Sequence, residues 1–527
     1  MFFEGARDSL IRIVAVPQNR AGIMFGGLHF VDWEIRVEWW PIGARTDSLS
    51  LMINFRERAA AVFGLGFVSF VIVGTVAAQS SLPAASVSQI DAAAASVMSA
   101  TGVPSASVAV VQGGKIAFVR AYGKARLEPV MMAEPGMQYS IGSVSKQFTA
   151  ALILLLVQDG KVKLDDPVGK YLPELTRANE VTVRQVLSMT SGYQDFWPED
   201  YVMTSMMKST NPQQILDVWG KKALDFEPGT KWQYSNTNYV IAGRIAEIVA
   251  GRPLIEQLQE RIFRPLKMTG VFNSDASRLP ANDPTGYYQH ALGPLRPAPQ
   301  EGAGWMFAAG ELAMPASDLA LWNISLMNRA LLAPDSYDEM FREVKLKNGS
   351  GTHYGLGVFV GVQDGHRIVS HSGEVSGFVS QNVVFPDDKI AVTVLTNEDA
   401  SSAAGVLAKK IESVLLSGAE GGTSASTAVA EKRALEVFTG LQEGRIDRSQ
   451  LTAFCDAYFT AEAVQDFATS LKPLGAPSSF KQVAEEQRGG MTFRVFNVGF
   501  GGKQVRVTTY EEPDGKLEQY LVIPVGS

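Results

Sequence analysis

The stretch QYSIGSVSKQFTAALILLL, residues 138–156, sets the hardest condition on this chain. A serine-dense turn runs without a breaker into a continuous apolar run. A helix therefore opens at Ser143, continues to about Gln158 and stops at Asp159-Gly160. So apolar a helix has to be buried, yet it begins with Lys146, and a buried ammonium is costly unless paired. Either the helix start is exposed or the lysine has a task. Residues three apart share a helix face, so Ser143 Oγ and the Lys146 amine can meet. The dipole and free N–H groups of a helix start favour negative charge on the serine, and a desolvated lysine can accept its proton. The same S-x-x-K spacing recurs at Ser205/Lys208 and Ser478/Lys481, where no long apolar helix follows and a helix cap beside a solvated lysine suffices.

Two further constellations carry chemistry. Tyr234-Ser235-Asn236 is the one Y-x-N in the chain, set in EPGTKWQYSN between a Pro-Gly turn and a helix. A tyrosine near a cationic lysine can act as a general base, and Asn236 offers an amide to a substrate carbonyl; a capped helix start beside a core tyrosine would look the same. His371-Ser372-Gly373, in RIVSHSGEVSGF, ends one strand and precedes another. A strand at a cleft edge can present backbone N–H groups to a developing oxyanion, and Gly373 permits close backbone approach. An ordinary surface strand end is the plain alternative.

At 527 residues the chain is too long for one ordinary domain. From 86 to 417 it reads as one α/β-textured domain, with a hairpin across Gly113-Gly114, strands at 353–361, 367–371, 378–385 and 390–396, and a helix at 401–416. Strands at both ends with helices between them argue for an antiparallel sheet covered by helical layers. Residues 418–430 (GAEGGTSASTAVA) read as a linker. Residues 431–527 read as two helical stretches and four strands, a small α+β domain for which a cystatin- or NTF2-like shape is the expectation.

The net charge of −7 and the absence of a basic tail argue against a nucleic-acid partner. The lone Cys455 excludes an intrachain disulfide and a cysteine-built metal site; in LTAFCDAYF it reads as a buried apolar residue. The five histidines show no H-E-x-x-H spacing, and neither metal nor cofactor is expected. MINFRER followed by the apolar 59–77 and the small residues of TVAAQS has the form of a signal peptide over 52–78. The alternative is an uncleaved membrane anchor at 59–77. Either places the bulk of the chain outside the cytoplasm, periplasmic or secreted. Residues 1–51, including WEIRVEWWPIGAR, show no export signal and no pattern, as expected of a translation start assigned too far upstream.

Taken in order, Ser143-x-x-Lys146, Tyr234-x-Asn236 and His371-x-Gly373 resemble the motifs of the serine β-lactamase and penicillin-binding protein superfamily. The resemblance is nearest to its class C β-lactamase-related branch, with its D,D-peptidases, esterases and D-aminopeptidases. KLDDPVGKYLPEL, VTVRQVLSMTSGY, AAGELAMPASDLALW, YGLGV and HSGEVSGF match that branch in sequence order, over roughly 88–415. The resemblance implies an α+β, β-lactamase/transpeptidase-like fold: an antiparallel five-strand-like sheet with a helical subdomain and an active site in the groove between them. It further implies Ser143 as nucleophile, Lys146 as its activating partner and Tyr234 as acylation base and leaving-group acid. Asn236, His371, Ser372 and Gly373 would contact substrate, and the backbone N–H groups of Ser143 and Glu374 would form the oxyanion hole. The implied partner is a small-molecule or peptide substrate, peptidoglycan fragments included.

The chain departs from the branch in two places. Met189-Thr190-Ser191-Gly192 stands where H-T-S-G is common, at a structural position. His371 stands where β-lactamases of this type carry a lysine that holds the antibiotic's carboxylate, and histidine is largely neutral near pH 7. The E-x-x-L-N setting of class A deacylation is absent, and so is the G-x-S-x-G elbow of α/β-hydrolases. The sequence thus favours an exported serine hydrolase acting through an acyl-enzyme on an ester, a D-amino-acid peptide or a β-lactam. A dedicated β-lactamase and a non-catalytic wall-fragment sensor remain the alternatives.

Overall fold

Strands Ser105–Gln112 (β1) and Lys115–Arg126 (β2) form the hairpin expected at Gly113-Gly114, both glycines at positive φ (59° and 73°). In the computed structural model of the chain, the described residues are 82–199, 201–363, 366–416, 428–488, 491–512 and 515–525, with three strands nearer the start. Those three, Phe2–Glu4, Ser9–Gln18 and Asp32–Pro41, pair antiparallel in that order. WEIRVEWWP is therefore strand rather than patternless chain: Trp33, Ile35, Val37 and Trp39 alternate with Glu34, Arg36 and Glu38, the period of two that a strand presents. The expected signal segment 52–78 lies outside the described residues. So does the expected linker, except 428–430, which open a helix.

The main sheet has seven antiparallel strands. Met131–Met132 (β3), Phe359–Gln363 (β4), His366–Val375 (β5), Phe378–Phe385 (β6) and Ile390–Thr396 (β7) join the hairpin in the order β4-β5-β6-β7-β1-β2-β3. The two edge strands are short, so the five-strand core implied by the resemblance is present with an addition on each side. Central β1 and β7 are apolar on both faces because both faces are covered. Val108, Val110, Val392 and Val394 pack under Ala84–Thr101 (α1) and Ala403–Leu416 (α5). Ala109, Val111, Ala391 and Leu395 face the larger core on the other side, where Ala316–Asn328 (α4) lies. Asn323 of α4 is tied to the sheet by buried hydrogen bonds to Asn382 (2.8 Å) and Thr393 (3.1 Å).

The apolar helix of the opening stretch, Lys146–Gln158 (α2), is buried along its first eleven residues. Asn236–Ala250 (α3) packs beside it, and Phe148 meets Phe263 and Trp322 at ring-centroid distances of 5.5 and 4.6 Å. Each large apolar side chain so buried contributes about 1.5–3 kcal/mol. That is what holds the polar turn preceding the helix in place.

The C-terminal region is a four-strand antiparallel meander: Ser479–Arg488 (β8), Met491–Phe500 (β9), Lys503–Glu511 (β10) and Leu517–Pro524 (β11). Ala428–Gln442 (α6) and Ala461–Leu471 (α7) cover one face, burying Phe438, Leu441 and Phe467 against Phe496, Val498, Val505, Val507 and Val522. The second of the two expected helical stretches is broken into a 3-10 turn, Ala453–Tyr458 and α7, each of the two helices capped by a threonine, Thr452 and Thr460. Cys455 is buried, and burial pushes its thiol upward. Hydrogen bonds from Tyr201 to the Glu518 carbonyl (2.8 Å) and from Ser402 to the Pro524 carbonyl (2.8 Å), with ion pairs from Arg296 to Asp466 (2.6 Å) and Glu462 (2.8 Å), join this region to the catalytic one.

Candidate active site

Ser143 lies in the 3-10 turn Gly142–Ser145 that leads directly into α2. The turn is pinned where Ile141 N donates to Leu312 O (2.9 Å) and Ser145 Oγ accepts from Leu312 N (3.2 Å). Strand β5 presses against it so closely that two glycines are required. A Cβ on Gly142, which sits at φ +51°, would lie 2.7 Å from the Glu374 amide nitrogen; one on Gly373 would lie 2.0 Å from the Ile141 carbonyl oxygen. The backbone beside Ser143 and the backbone of Glu374 are thereby brought together.

Lys146 is fully buried, which answers the exposure question raised by the sequence. Its Nζ lies 2.8 Å from Ser143 Oγ, 2.7 Å from Asn236 Oδ1 and 2.9 Å from the Ala309 carbonyl oxygen. It also sits over the ring of Tyr234, 4.9 Å from the centroid. Asn236 and Ala309 offer only lone pairs. A neutral amine gives them its two N–H groups and aims its own lone pair at the Ser143 hydroxyl; an ammonium donates to all three oxygens.

Asn236, first residue of α3, lines the cleft with both ends of its amide engaged. Beyond accepting from Lys146, its Nδ2 donates to the Trp197 carbonyl (3.0 Å), and its backbone N–H donates to Asp195 Oδ1 (2.8 Å). The amide expected to hold substrate is in this geometry a brace for Lys146.

His371 is buried and held from two sides. Its Nδ1 lies 2.5 Å from the Ser372 carbonyl oxygen and its Nε2 3.1 Å from the Tyr354 hydroxyl. A carbonyl can only accept, so Nδ1 carries the proton and Tyr354 donates to Nε2. Burial, then the nearby Lys146 charge, pulls the imidazole down to about 3, against a weaker upward pull from the Ser372 carbonyl. His371 is thus neutral at physiological pH. Ser372 is exposed to the cleft, and Glu374 caps the neighbouring loop by accepting from Ala400 N (2.7 Å).

These groups share one cavity of about 370 Å³, a size suited to a small ligand. Ser143, Tyr234, Asn236 and residues 371–376 line it together with Trp197, Trp232 and Trp305. All eight residues expected at the site meet in this one region. The supports Asp195, Trp197, Tyr354 and Ala309 belong to none of the three motifs, and no local pattern marks them. The C-terminal sheet contributes a further wall, Phe493, Val495, Arg506, Thr508, Tyr510, Leu521 and Ile523. Ser205 and Ser478 lie elsewhere, in a short 3-10 turn and at the start of β8.

A family model described as Beta-lactamase matches residues 90–415. Protein flp of Staphylococcus aureus (strain NCTC 8325 / PS 47) is 28% identical over 308 residues, 56% of this chain and 60% of that protein; the chain thus spans well under two thirds of that relative's length. Among solved structures, a D-stereospecific amidohydrolase from Streptomyces sp. has a TM-score of 0.54 at 27% identity, covering 62% of this chain and 99% of that one. An octameric penicillin-binding protein homologue from Pyrococcus abyssi, at 21% identity and a TM-score of 0.56, covers 83% of this chain and 99% of that one and shares the fold. With more than half of the chain matched, it belongs to the Beta-lactamase family, within the serine β-lactamase and penicillin-binding protein superfamily.

Proposed function

We propose that the chain is an exported serine hydrolase that cleaves an ester or a D-amino-acid amide or peptide through an acyl-enzyme. The observation that carries this reading is the three-way seat of Lys146. Two acceptor-only oxygens take two of its N–H groups, and the third direction points at Ser143 Oγ, 2.8 Å away. In this reading the Ser143 proton passes to the neutral Lys146 amine as Oγ attacks the substrate carbonyl. The oxyanion is held by the N–H groups of Ser143 and Glu374, which the glycine contacts keep adjacent. Tyr234, over which Lys146 sits, delivers a proton to the departing oxygen or nitrogen. Water then attacks the acyl-serine by the reverse proton route and regenerates Ser143.

A neutral His371 in place of a cation speaks against efficient β-lactam hydrolysis. The resemblance to a D-stereospecific amidohydrolase supports amide bonds flanked by D-residues. The pattern over 52–78 supports a periplasmic or secreted location.

Intact-mass spectrometry of the protein with a penicillin and, separately, a p-nitrophenyl ester tests the reading, with Ser143→Ala alongside. The expected result is an adduct on the wild type alone, with ester turnover beside a long-lived penicilloyl adduct. No adduct and no turnover with either reagent would overturn it.

A further inference from the structure

Among the described residues, the catalytic region lines its own cleft with no unengaged cation. His371 is neutral, and Lys146 is already seated among three protein oxygens. The C-terminal sheet supplies one. Along β10 the side chains alternate: Val505 and Val507 turn to the helices of their own domain, while Arg506, Thr508 and Tyr510 line the cleft that holds Ser143. The antiparallel register puts Ile523 of β11 and Asn497 of β9 on either side of Arg506.

Arg506 is only partly exposed, and its buried Nε meets no acceptor. Among the described residues no hydrogen bond or ion pair falls to its guanidinium. Several carboxyl groups near the cleft hold other partners. Glu511, on the same strand, pairs with Arg433 (3.1 Å) and Arg494 (3.0 Å). Glu199, across the cleft, shares a hydrogen bond with Glu518, and burial raises its carboxyl well above the usual carboxylate range. Glu374 accepts from Ala400, and Glu301 from the Ser376 backbone (3.0 Å). Burial alone lowers the guanidinium, with no acidic partner offsetting it. A half-buried arginine with open donors in a ligand-sized cavity is matched by a planar anion, and a carboxylate fits its fork in bidentate fashion.

We propose that Arg506 is the carboxylate anchor of the Ser143 cleft, so that the enzyme selects acyl compounds ending in a free carboxylate, such as peptides with a C-terminal D-residue. This deepens the acyl-enzyme reading and rests on it for the reaction, though not for binding. The second domain thus supplies the positive group that His371 does not.

The test uses the full chain carrying Ser143→Ala, so that ligand persists. N-acetyl-D-alanyl-D-alanine and its C-terminal carboxamide are titrated by calorimetry. The acid is expected to bind about 10- to 100-fold more tightly than the carboxamide. Adding Arg506→Ala is expected to erase that preference, and Arg506→Lys to restore part of it. A preference that survives Arg506→Ala, or equal binding of acid and carboxamide with Arg506 present, overturns the inference. So does an equal loss of both ligands in Arg506→Ala, which marks a structural role. The preference stands apart from the chemistry: if the wild type forms no adduct with penicillin or ester while the Arg506-dependent preference persists, the acyl-enzyme reading falls and the anchor stands. If adducts form and the preference is missing, the anchor falls and the acyl-enzyme reading stands.

Discussion

His371 makes the folded protein sensitive to acid in a way that can be calculated. Its imidazole drops from an ordinary value near 6.5 to about 3, chiefly through burial and secondarily through the Lys146 charge. Below pH 6.5 the unfolded chain binds a proton at this residue that the folded chain refuses. The stability His371 contributes is therefore complete above that pH and is lost as pH falls through the window toward 3. At about 1.4 kcal/mol per pH unit once the unfolded residue is fully protonated, the loss between pH 6.5 and 4.5 is roughly 2 kcal/mol. His371→Asn keeps a donor for the Ser372 carbonyl and removes the titration. Outside the first 51 residues every tryptophan lies in the catalytic region (197, 219, 232, 305 and 322), so urea unfolding followed by tryptophan fluorescence reports on that region. The stability difference between wild type and variant should shrink by roughly 2 kcal/mol across those two pH units. A difference between wild type and His371→Asn that stays flat with pH would refute the reasoning.

Three further outcomes are expected. Asn236→Ala removes an oxygen from the Lys146 seat and should lower Ser143-dependent ester turnover about 100-fold or more, seen in kcat. Gly373→Ala drives a methyl into the Ile141 carbonyl and should push β5 off the nucleophile turn, abolishing adduct formation. Gly361→Ala in neighbouring β4 meets only Ile368 at 3.9 Å and should react normally in the same mass assay. Glu398 is buried with no hydrogen-bond partner among the described residues for either carboxylate oxygen and is pushed up to about 8, so the folded state keeps a proton that the unfolded state loses above about 4.5. Its contribution is complete in acid and is lost as pH rises toward 8, so Glu398→Gln should raise the melting temperature at pH 8 relative to pH 5.

The helix at Lys146–Gln158 was legible because its apolar run is continuous and bounded by a polar turn and by Asp159-Gly160. The three motifs were legible because each is a short local spacing. Their supports were not. Asp195, Tyr354 and the Ala309 carbonyl reach Lys146 and its neighbours only through tertiary packing, which leaves no periodic trace. Asn236 shows the limit of motif logic: the groups at the two ends of its amide, Lys146 Nζ and the Trp197 carbonyl, could be seen only in the fold. The strand KQVRVTTYEE alternates, and alternation says that the two faces differ, not what covers the polar one; that Arg506 and Thr508 look into a cleft is visible only in the fold.

The wall lent by the C-terminal sheet divides the labour of the gene. The residues proposed to break the bond are encoded before Leu416, and many of those that shape the chamber around it well after it. Cutting the chain after Leu416 would leave the Ser143, Lys146 and Tyr234 set intact but strip one side from its container, and the expected product is a more permissive hydrolase rather than an inert one. Exchanging this distal segment for another sheet of the same topology would retarget the enzyme without touching its reactive centre.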